Sequence, residues 1–352
     1  MHMADALISP SVGGVMMVAT AGLTVFSARK LKEEMDDRKI PLMGVLGALV
    51  FAAQMINFTI PGTGSSGHLV GAMVLAVLLG PYAAFLTMAS ILTIQALFFA
   101  DGGLLALGCN IFNMGFFPCF VAFPLIYKRI AANSQDRKRI LPASMAASII
   151  GLQLGALGVV TETFLSDISA LSFKTFVLLL LPIHLAIGIV EGFVTASVVS
   201  FVTKTRPGVL GTATEPSGSK QISIKPVLIT LAIIAALTGG FLSWFASVNP
   251  DGLEWSVARS SVSKVFQGSE SRIHALLSGV QKKTAVFPDY NFRKDKTQEP
   301  AKDEKTQGKE NAWPSVSAGT SISGLLGGAM SLVLAGLIGF GIRTFQRRKI
   351  TK

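Results

Sequence analysis

Charge is what this chain has least of. Only 14% of its 352 residues are charged, against about a quarter in ordinary soluble domains, and half are hydrophobic. That balance excludes a water-soluble globule. Cysteine is nearly absent: Cys109 and Cys119 stand in an apolar run without CxxC spacing, so they read as buried small hydrophobes rather than a disulfide or metal pair. No HExxH, GxSxG or GxxxxGK[ST] occurs, so the usual signatures of metalloproteases, serine hydrolases and P-loop ATPases are missing. The expectation is a non-catalytic protein, with any ATP hydrolysis on another polypeptide. Basic residues are also missing before the first hydrophobic run. That argues against the positive n-region of a signal peptide, and implies an N-terminus that is retained, translocated and free.

What the chain has instead is long apolar stretches. Residues 12–28, 42–58, 82–100, 104–127, 142–165, 175–202, 227–248 and 319–342 are each long enough to cross a hydrocarbon core of about 30 Å as helix. A shorter run, 69–79, would rise only about 17 Å. The 35 glycines, costly in soluble helices, let helices approach closely in lipid. The net charge of +11 does not point to nucleic acid. Segments 29–41, 128–139, 203–226 and 343–352 hold 5, 5, 4 and 5 Lys or Arg, whereas 1–11, 59–68, 101–103 and 166–174 hold only Lys174. By the positive-inside rule the first set is cytoplasmic. An odd number of crossings must then separate 59–68 from 128–139, so 69–79 counts as a short third span, set off by Gly80 and Pro81.

The expected fold is therefore an all-α integral membrane protein of nine spans, N-terminus outside and C-terminus inside. Residues 1–204 form a seven-helix bundle, and 205–225, rich in Pro, Gly, Ser and Thr, form a cytoplasmic linker. Residues 226–352 form a two-helix accessory unit bracketing an external loop, 249–318. Within that loop, 289–314 is highly charged and nearly free of aliphatic side chains, the composition of a disordered or weakly folded segment.

Four histidines carry the chemistry: His2, His68, His184 and His274. A free N-terminus followed by His offers the Met1 amine, the His2 amide nitrogen and the His2 imidazole Nδ1 in succession. These close a five- and a six-membered chelate ring and hold three donors in one plane. A fourth nitrogen completes a square-planar set, which suits Ni(II) or Cu(II) better than tetrahedral Zn(II). His68 closes the glycine-rich external loop NFTIPGTGSSGH on the same side of the membrane, as an interfacial polar residue or as that fourth donor. His184 and Glu191 lie seven apart on one face of the seventh span, either a functional intramembrane pair or a buried hydrogen bond between helices. Glu162 is placed to reach the headgroups, and His274 is expected at the surface. Gly44, Ala48 and Ala52 form a small-residue stripe that permits close packing within the bundle or against a partner.

Several pieces of the first 200 residues resemble the CbiM/NikM family, the substrate-capture (S) components of energy-coupling-factor transporters for nickel and cobalt. They are MHMADA, LGALVFAAQMINFTIPGTGSSGHLVGA, LLGPYAA, QALFFADGGLLALGCNIFNMG and LPIHLAIGIVEG. The later NPDGLEWSVA, with Pro250 to Glu254 reading PDGLE, resembles the NikN-type accessory component. The resemblance implies a metal site made of Met1, His2 and His68, with Asp5, Asn57 and Ser66 as candidates for loop support. It implies Ni(II) as the transported substrate, with Co(II) as the alternative, in a bacterial cytoplasmic membrane. The implied partners are a transmembrane coupling (T) subunit and ATPase (A) subunits, with the Gly44, Ala48, Ala52 stripe as candidate docking surface. The rival class is a membrane metal sensor using the same histidines. Two positions depart from the family pattern: Ala6 where Gly is usual and Thr59 where Pro is common.

Overall fold

The computed structural model describes residues 1–34, 36, 38–132, 137–168, 171–205, 224–260, 271–293 and 313–350. In chain order these form α1 (Pro10–Glu34), α2 (Lys39–Gln54), the hairpin strands β1 (Phe58–Ile60) and β2 (Ser65–Gly67), α3 (Ala72–Leu79) and α4 (Pro81–Phe99). There follow α5 (Leu107–Ala131), α6 (Ile140–Ser166), α7 (Phe173–Thr205), α8 (Lys225–Gly240), α9 (Gly252–Ser260), α10 (Arg272–Thr284) and α11 (Ala318–Ile350). Among the described residues, six helices (α1, α4, α5, α6, α7 and α11) are long and apolar enough to span a membrane. The linker expected at 205–225 and the charged segment expected at 289–314 fall mainly outside the described residues.

The third helix is the main departure from nine full spans. Eight residues of α3 rise about 12 Å, well under half a hydrocarbon core. All eight are buried, so α3 is an internal half-helix sheltered by its neighbours. Its ends are set by sequence. Gly71 (φ 76°) and Gly80 (φ 82°, ψ 166°) take conformations that disfavour a side chain, and Pro81 starts α4 where its missing N–H is harmless. In α5, Pro118 and Pro124 withdraw two N–H donors, and the helix widens into π-type turns over 112–127.

The small-residue stripe on α2 is covered by the chain itself. A Cβ on Gly44 would lie 2.9 Å from the Leu332 carbonyl oxygen of α11, and one on Gly47 would meet Thr87, Ser331 and Ala335. Gly327 sits against the Phe51 ring, Gly328 lies beside Ala48, and Ala48 and Ala52 are buried. The surface expected to dock a coupling subunit is therefore occupied by α11. The two ends of the accessory unit, α8 and α11, also touch through Gly239 and Gly324. Apolar side chains such as Val15 and Val18 on α1, Leu178 on α7 and Leu337 and Phe340 on α11 face outward, as lipid contact requires. The core holds Phe51, Phe85, Phe99 and Phe176 fully buried.

The loop between α8 and α11 holds α9 and α10 ahead of the charged 289–314 segment. α9 buries Leu253 against the bundle, whereas α10 leaves Ile273, Leu276 and Val280 exposed and is held by hydrogen bonds from His274 and Gln281.

Candidate functional site

The N-terminal segment is threaded into the molecule by alternating apolar anchors. Met1, Met3 and Ile8 are buried, and the Met3 backbone is gripped at both ends. Its N–H donates to Asn110 Oδ1 (2.8 Å), and its carbonyl accepts from Gly103 N (2.9 Å) and Asn110 Nδ2 (3.2 Å). The Asp5 carboxylate accepts the Leu105 and Ala106 amides at 2.8 and 3.1 Å just ahead of α5, and Gly103 lies so close to it that no Cβ would fit. Ala6 sits in the 3-10 turn Asp5–Leu7 at an ordinary negative φ, so the absent glycine is no obstacle. Thr59 is equally at ease: it pairs with Ser66 across the hairpin, and its hydroxyl bonds that of Ser247 (2.8 Å).

These contacts bring the Met1 amine to 3.4 Å from His68 Nε2, although 67 residues separate them. The His2 and His68 rings stack at 5.1 Å, inclined by 24°. The hydrogen-bond network assigns both tautomers. His68 Nδ1 faces the Leu69 carbonyl (3.0 Å) and must donate to it, leaving the Nε2 lone pair turned to the amine. On the other ring, Gln95 donates through Nε2 to Gln54 Oε1 (2.8 Å) and offers its own Oε1 to His2 Nε2 (3.1 Å). Gln54 in turn donates to the Val70 carbonyl (2.8 Å), which fixes the orientation of the whole chain of amides. His2 Nε2 therefore carries the proton, and the Nδ1 lone pair points towards Asp101 Oδ1 at 3.4 Å. The amine and the His68 Nε2 lone pair thus face each other, and the His2 ring stacks on His68 with its Nδ1 beside Asp101.

Burial sets the electrostatics. It is the largest cause lowering the His2 pKa, only partly offset by Asp101, and it pushes His68 down to about 4 with help from the amine charge. Both rings are held neutral, the form that binds metal. Asp251, from the PDGLE stretch, stands 3.4 Å from the amine and 4.0 Å from His68 Nε2. Burial would raise its pKa, but the amine, the largest opposing influence, and the Leu253 amide it accepts hold the carboxyl below the usual carboxylate range. Tyr290 donates to Asp101 Oδ2 (2.5 Å), and burial beside that carboxylate pushes its phenol well above the ordinary value. The cluster opens into a cavity of about 730 Å³ lined also by Gln54, Asn57 and Asn249.

Of the remaining expected residues, Ser66 and Asn57 hold the accessory unit rather than the histidines. Ser66 donates through its hydroxyl to the Asn249 carbonyl (2.8 Å), and the Asn57 carbonyl accepts Ser247 N–H (2.7 Å). His184 and Glu191 do not pair. His184 Nδ1 bonds the Leu180 carbonyl of its own helix (2.8 Å), whereas Glu191 accepts the Val70 amide (2.8 Å), two residues beyond His68. Seven residues of helix set them about 10 Å apart along the axis, too far to bond. Glu162 is buried and accepts from Asn113 (2.6 Å) instead of reaching the headgroups. His274 is also not at the surface: its Nε2 lies 3.1 and 3.0 Å from the Asp5 and Ile8 carbonyls, so α10 clasps the N-terminal segment from outside.

Gln95, Asp101 and Asp251 were not singled out by sequence reasoning, and His274 was expected at the surface. The first three lie inside the quoted motifs, but spacing alone gave no sign that they meet the N-terminus. His274 had no linear signal. Among the described residues no three His, Cys, Asp or Glu side chains are grouped to hold a metal ion, so a metal ion here depends on main-chain nitrogens.

Residues 2–209 match the family CbiM, described as a cobalt uptake substrate-specific transmembrane region, and residues 225–344 match the PDGLE domain. The chain is 35% identical to a putative fused nickel transport protein NikMN of Archaeoglobus fulgidus, over 67% of this chain and 74% of that one. It is 32% identical to the fused nickel transport protein NikMN of Rhodobacter capsulatus over 68% and 74%. It is also 32% identical to the cobalt transport protein CbiM of Sorangium cellulosum over 51% and 80%. A crystal structure of a truncated transition metal transporter superposes with a TM-score of 0.52 at 30% identity, covering 58% of this chain and 99% of the other. With a membrane-spanning helical bundle in place, the chain belongs to the CbiM family of nickel and cobalt transport membrane proteins, here joined to a PDGLE domain.

Proposed function

We propose that this chain is the substrate-capture subunit of an ATP-driven energy-coupling-factor importer of Ni(II). The observation that carries the reading is the approach of the Met1 amine to His68 Nε2 at 3.4 Å, with the His2 ring stacked on His68 in the same buried cluster. With the His2 amide nitrogen between amine and imidazole, these are the four donors of a planar nitrogen site, which suits a d8 ion such as Ni(II). The fused architecture shared with relatives named nickel transport proteins supports nickel over cobalt. Co(II) is the second reading, favoured by the relatives named cobalt transport proteins.

In this reading the N-terminus and the cavity face the outside of a bacterial cytoplasmic membrane, and the Lys- and Arg-rich connections face the cytoplasm. Partner T and A subunits supply the coupling and the ATP hydrolysis, since no P-loop sequence occurs here. With the stripe on α2 covered by α11, the T subunit docks elsewhere on the bundle. Residues 1–204 act as the capture domain and 226–352 as the accessory domain. The test is spectroscopic: Ni(II) added to the full chain with its native N-terminus gives a yellow, diamagnetic species. A paramagnetic tetrahedral or octahedral spectrum would refute the planar site.

A further inference from the structure

The PDGLE stretch reaches the N-terminal cluster by strand pairing. Ser66 N–H donates to the Pro250 carbonyl (2.8 Å), its hydroxyl donates to the Asn249 carbonyl (2.8 Å), and Ser66 and Asp251 form a parallel bridge beside the β1–β2 hairpin. Gly252 follows where a Cβ would collide with Ile183, so the segment lies flush against α7. The Asp251 carboxylate also caps the start of α9, accepting Leu253 N–H at 3.2 Å. Its position is thus fixed from both sides, and it is aimed at the amine of Met1 at 3.4 Å.

We propose that Asp251 is a positioning residue for the Met1 amine: the PDGLE segment supplies the carboxylate that holds the amine against His68 and forms the outer wall of the cavity a divalent cation enters. The inference rests on reading the N-terminal nitrogens as the capture site. Charge explains why a carboxylate belongs there. Before loading, the ammonium and Asp251 sum to zero. Loading releases one proton from the ammonium and one from the His2 amide as the cation takes both nitrogens. The dication, the amidate and Asp251 then again sum to zero, while Asp101 beside His2 is unchanged. A neutral side chain in place of Asp251 removes the carboxylate that contacts the amine and leaves Asp101 beside His2 as the remaining negative group of the cluster, which loosens the amine and weakens the attraction for the arriving ion.

The cavity mouth carries the same sign. Its lining includes the carboxyl-bearing Asp101, Asp251, Glu254 and Asp289 and, among the described residues, no Lys or Arg, and three of those four come from the accessory unit. Like-signed groups around a low-dielectric cleft concentrate counter-ions and speed their capture. The accessory unit is thereby given a physical task, to present and anchor the amine while drawing in the cation.

The test uses the full chain with native N-terminus in lipid nanodiscs, mixed rapidly with Ni(II) at low and high salt, following growth of the planar Ni(II) absorption. D251N should slow association about tenfold and flatten its salt dependence, while the end-point spectrum keeps its planar form and D251E recovers most of the rate. Rates for D251N within about twofold of the parent overturn the proposal. So does a D251E variant as slow as D251N, which would make the α9 cap, not the charge, the working feature. If D251N fails to fold, the unsubstituted chain still decides: an association rate indifferent to salt overturns the proposal. Absence of a planar spectrum in the unsubstituted chain is a separate result that refutes the capture site itself.

Discussion

The CbiM-like bundle and the PDGLE unit meet across two interfaces of opposite chemistry. Along the membrane, α2 and α11 meet through Gly44, Gly47, Ala48, Gly327 and Gly328, with backbones close and no side-chain hydrogen bond required. At the cavity end the contacts are polar and directional: Ser66 to Asn249 and Pro250, Asp251 to Met1, His274 to Asp5 and Ile8, and Gln281 to the Ala96 and Gly102 carbonyls. The first interface tolerates a small slide without losing specific partners. The second does not, because each bond fixes one atom of the N-terminal segment, of the 95–103 turn beside it or of the β1–β2 hairpin. Attachment and alignment are therefore assigned to different surfaces.

The sharpest way to separate them is to extend the chain by one residue before Met1. This converts the amine into an amide and destroys the first chelate ring while leaving the α2–α11 seam untouched. Capture of Ni(II) should fall by more than about 100-fold, since donors acting as one chelate are lost together, with the thermal midpoint of the metal-free chain unchanged. A tagged chain that binds at full affinity would remove the amine from the donor set.

The proton count of capture tests the same end of the molecule. His68 is pushed down to about 4, so between pH 8 and 5 no proton competes for its Nε2. Affinity should still fall as pH drops, because the amine and the amide must each release a proton, approaching about two protons per metal ion in chelator-competition titrations below neutrality. The metal-free chain follows a different rule. An unfolded histidine takes up its proton near 6.5 while folded His68 resists down to about 4, so stability is complete above pH 6.5 and is lost as pH falls from there to 4. Full capture retained at pH 5 would show that the amine is not a donor.

The opposite end is broken by Gly327→Leu, which drives a side chain into the Phe51 ring. Overpacking of this kind costs about 1–3 kcal/mol. The expected result is a lower thermal midpoint with an unchanged planar spectrum for whatever Ni(II) is bound. A changed spectrum would show that the seam also aligns the site.

This division also explains what was legible in the sequence. Long spans such as α6 and α7 follow from composition, since apolar length is a local property that lipid reads directly. The third span was legible only as a short crossing at 69–79, because charge bookkeeping fixes the parity of crossings and not the length of helix; the structure gives the buried half-helix Ala72–Leu79, stable among its neighbours. The chelating potential of Met1 and His2 is legible because it is written in consecutive atoms at the N-terminus, whereas His68 came in through the family resemblance, and its approach to the Met1 amine at 3.4 Å is visible only in the fold. Asp251 and His274 were not legible, since they reach the N-terminus from 250 and from 266 and 269 residues away through strand pairing and helix docking that no spacing encodes. The Gly44, Ala48, Ala52 stripe shows the converse, a pattern that correctly marks a close helix contact while leaving its partner unnamed.

The smallest effect tests the clasp of α10. His274 Nε2 faces two main-chain carbonyls of the N-terminal segment, and its Nδ1 lies 2.6 Å from the Ser271 hydroxyl. Nε2 faces both carbonyl acceptors and the Ser271 hydroxyl faces Nδ1, so the ring is oriented by its neighbours. His274→Ala removes that ring and leaves the Asp5 and Ile8 carbonyls short of a partner. The loss is about 1–3 kcal/mol of local order, of which the Asp5 carboxylate contacts to Leu105 and Ala106 absorb a share by continuing to hold the same turn. Affinity for Ni(II) should drop only a few-fold, chiefly as faster release, and amide hydrogen exchange should quicken over residues 4–9. His274→Gln, which keeps a donor at similar reach, should restore most of the protection. Exchange that quickens equally across α2 and α11 would instead join the two interfaces into one cooperative unit and erase the distinction between attachment and alignment.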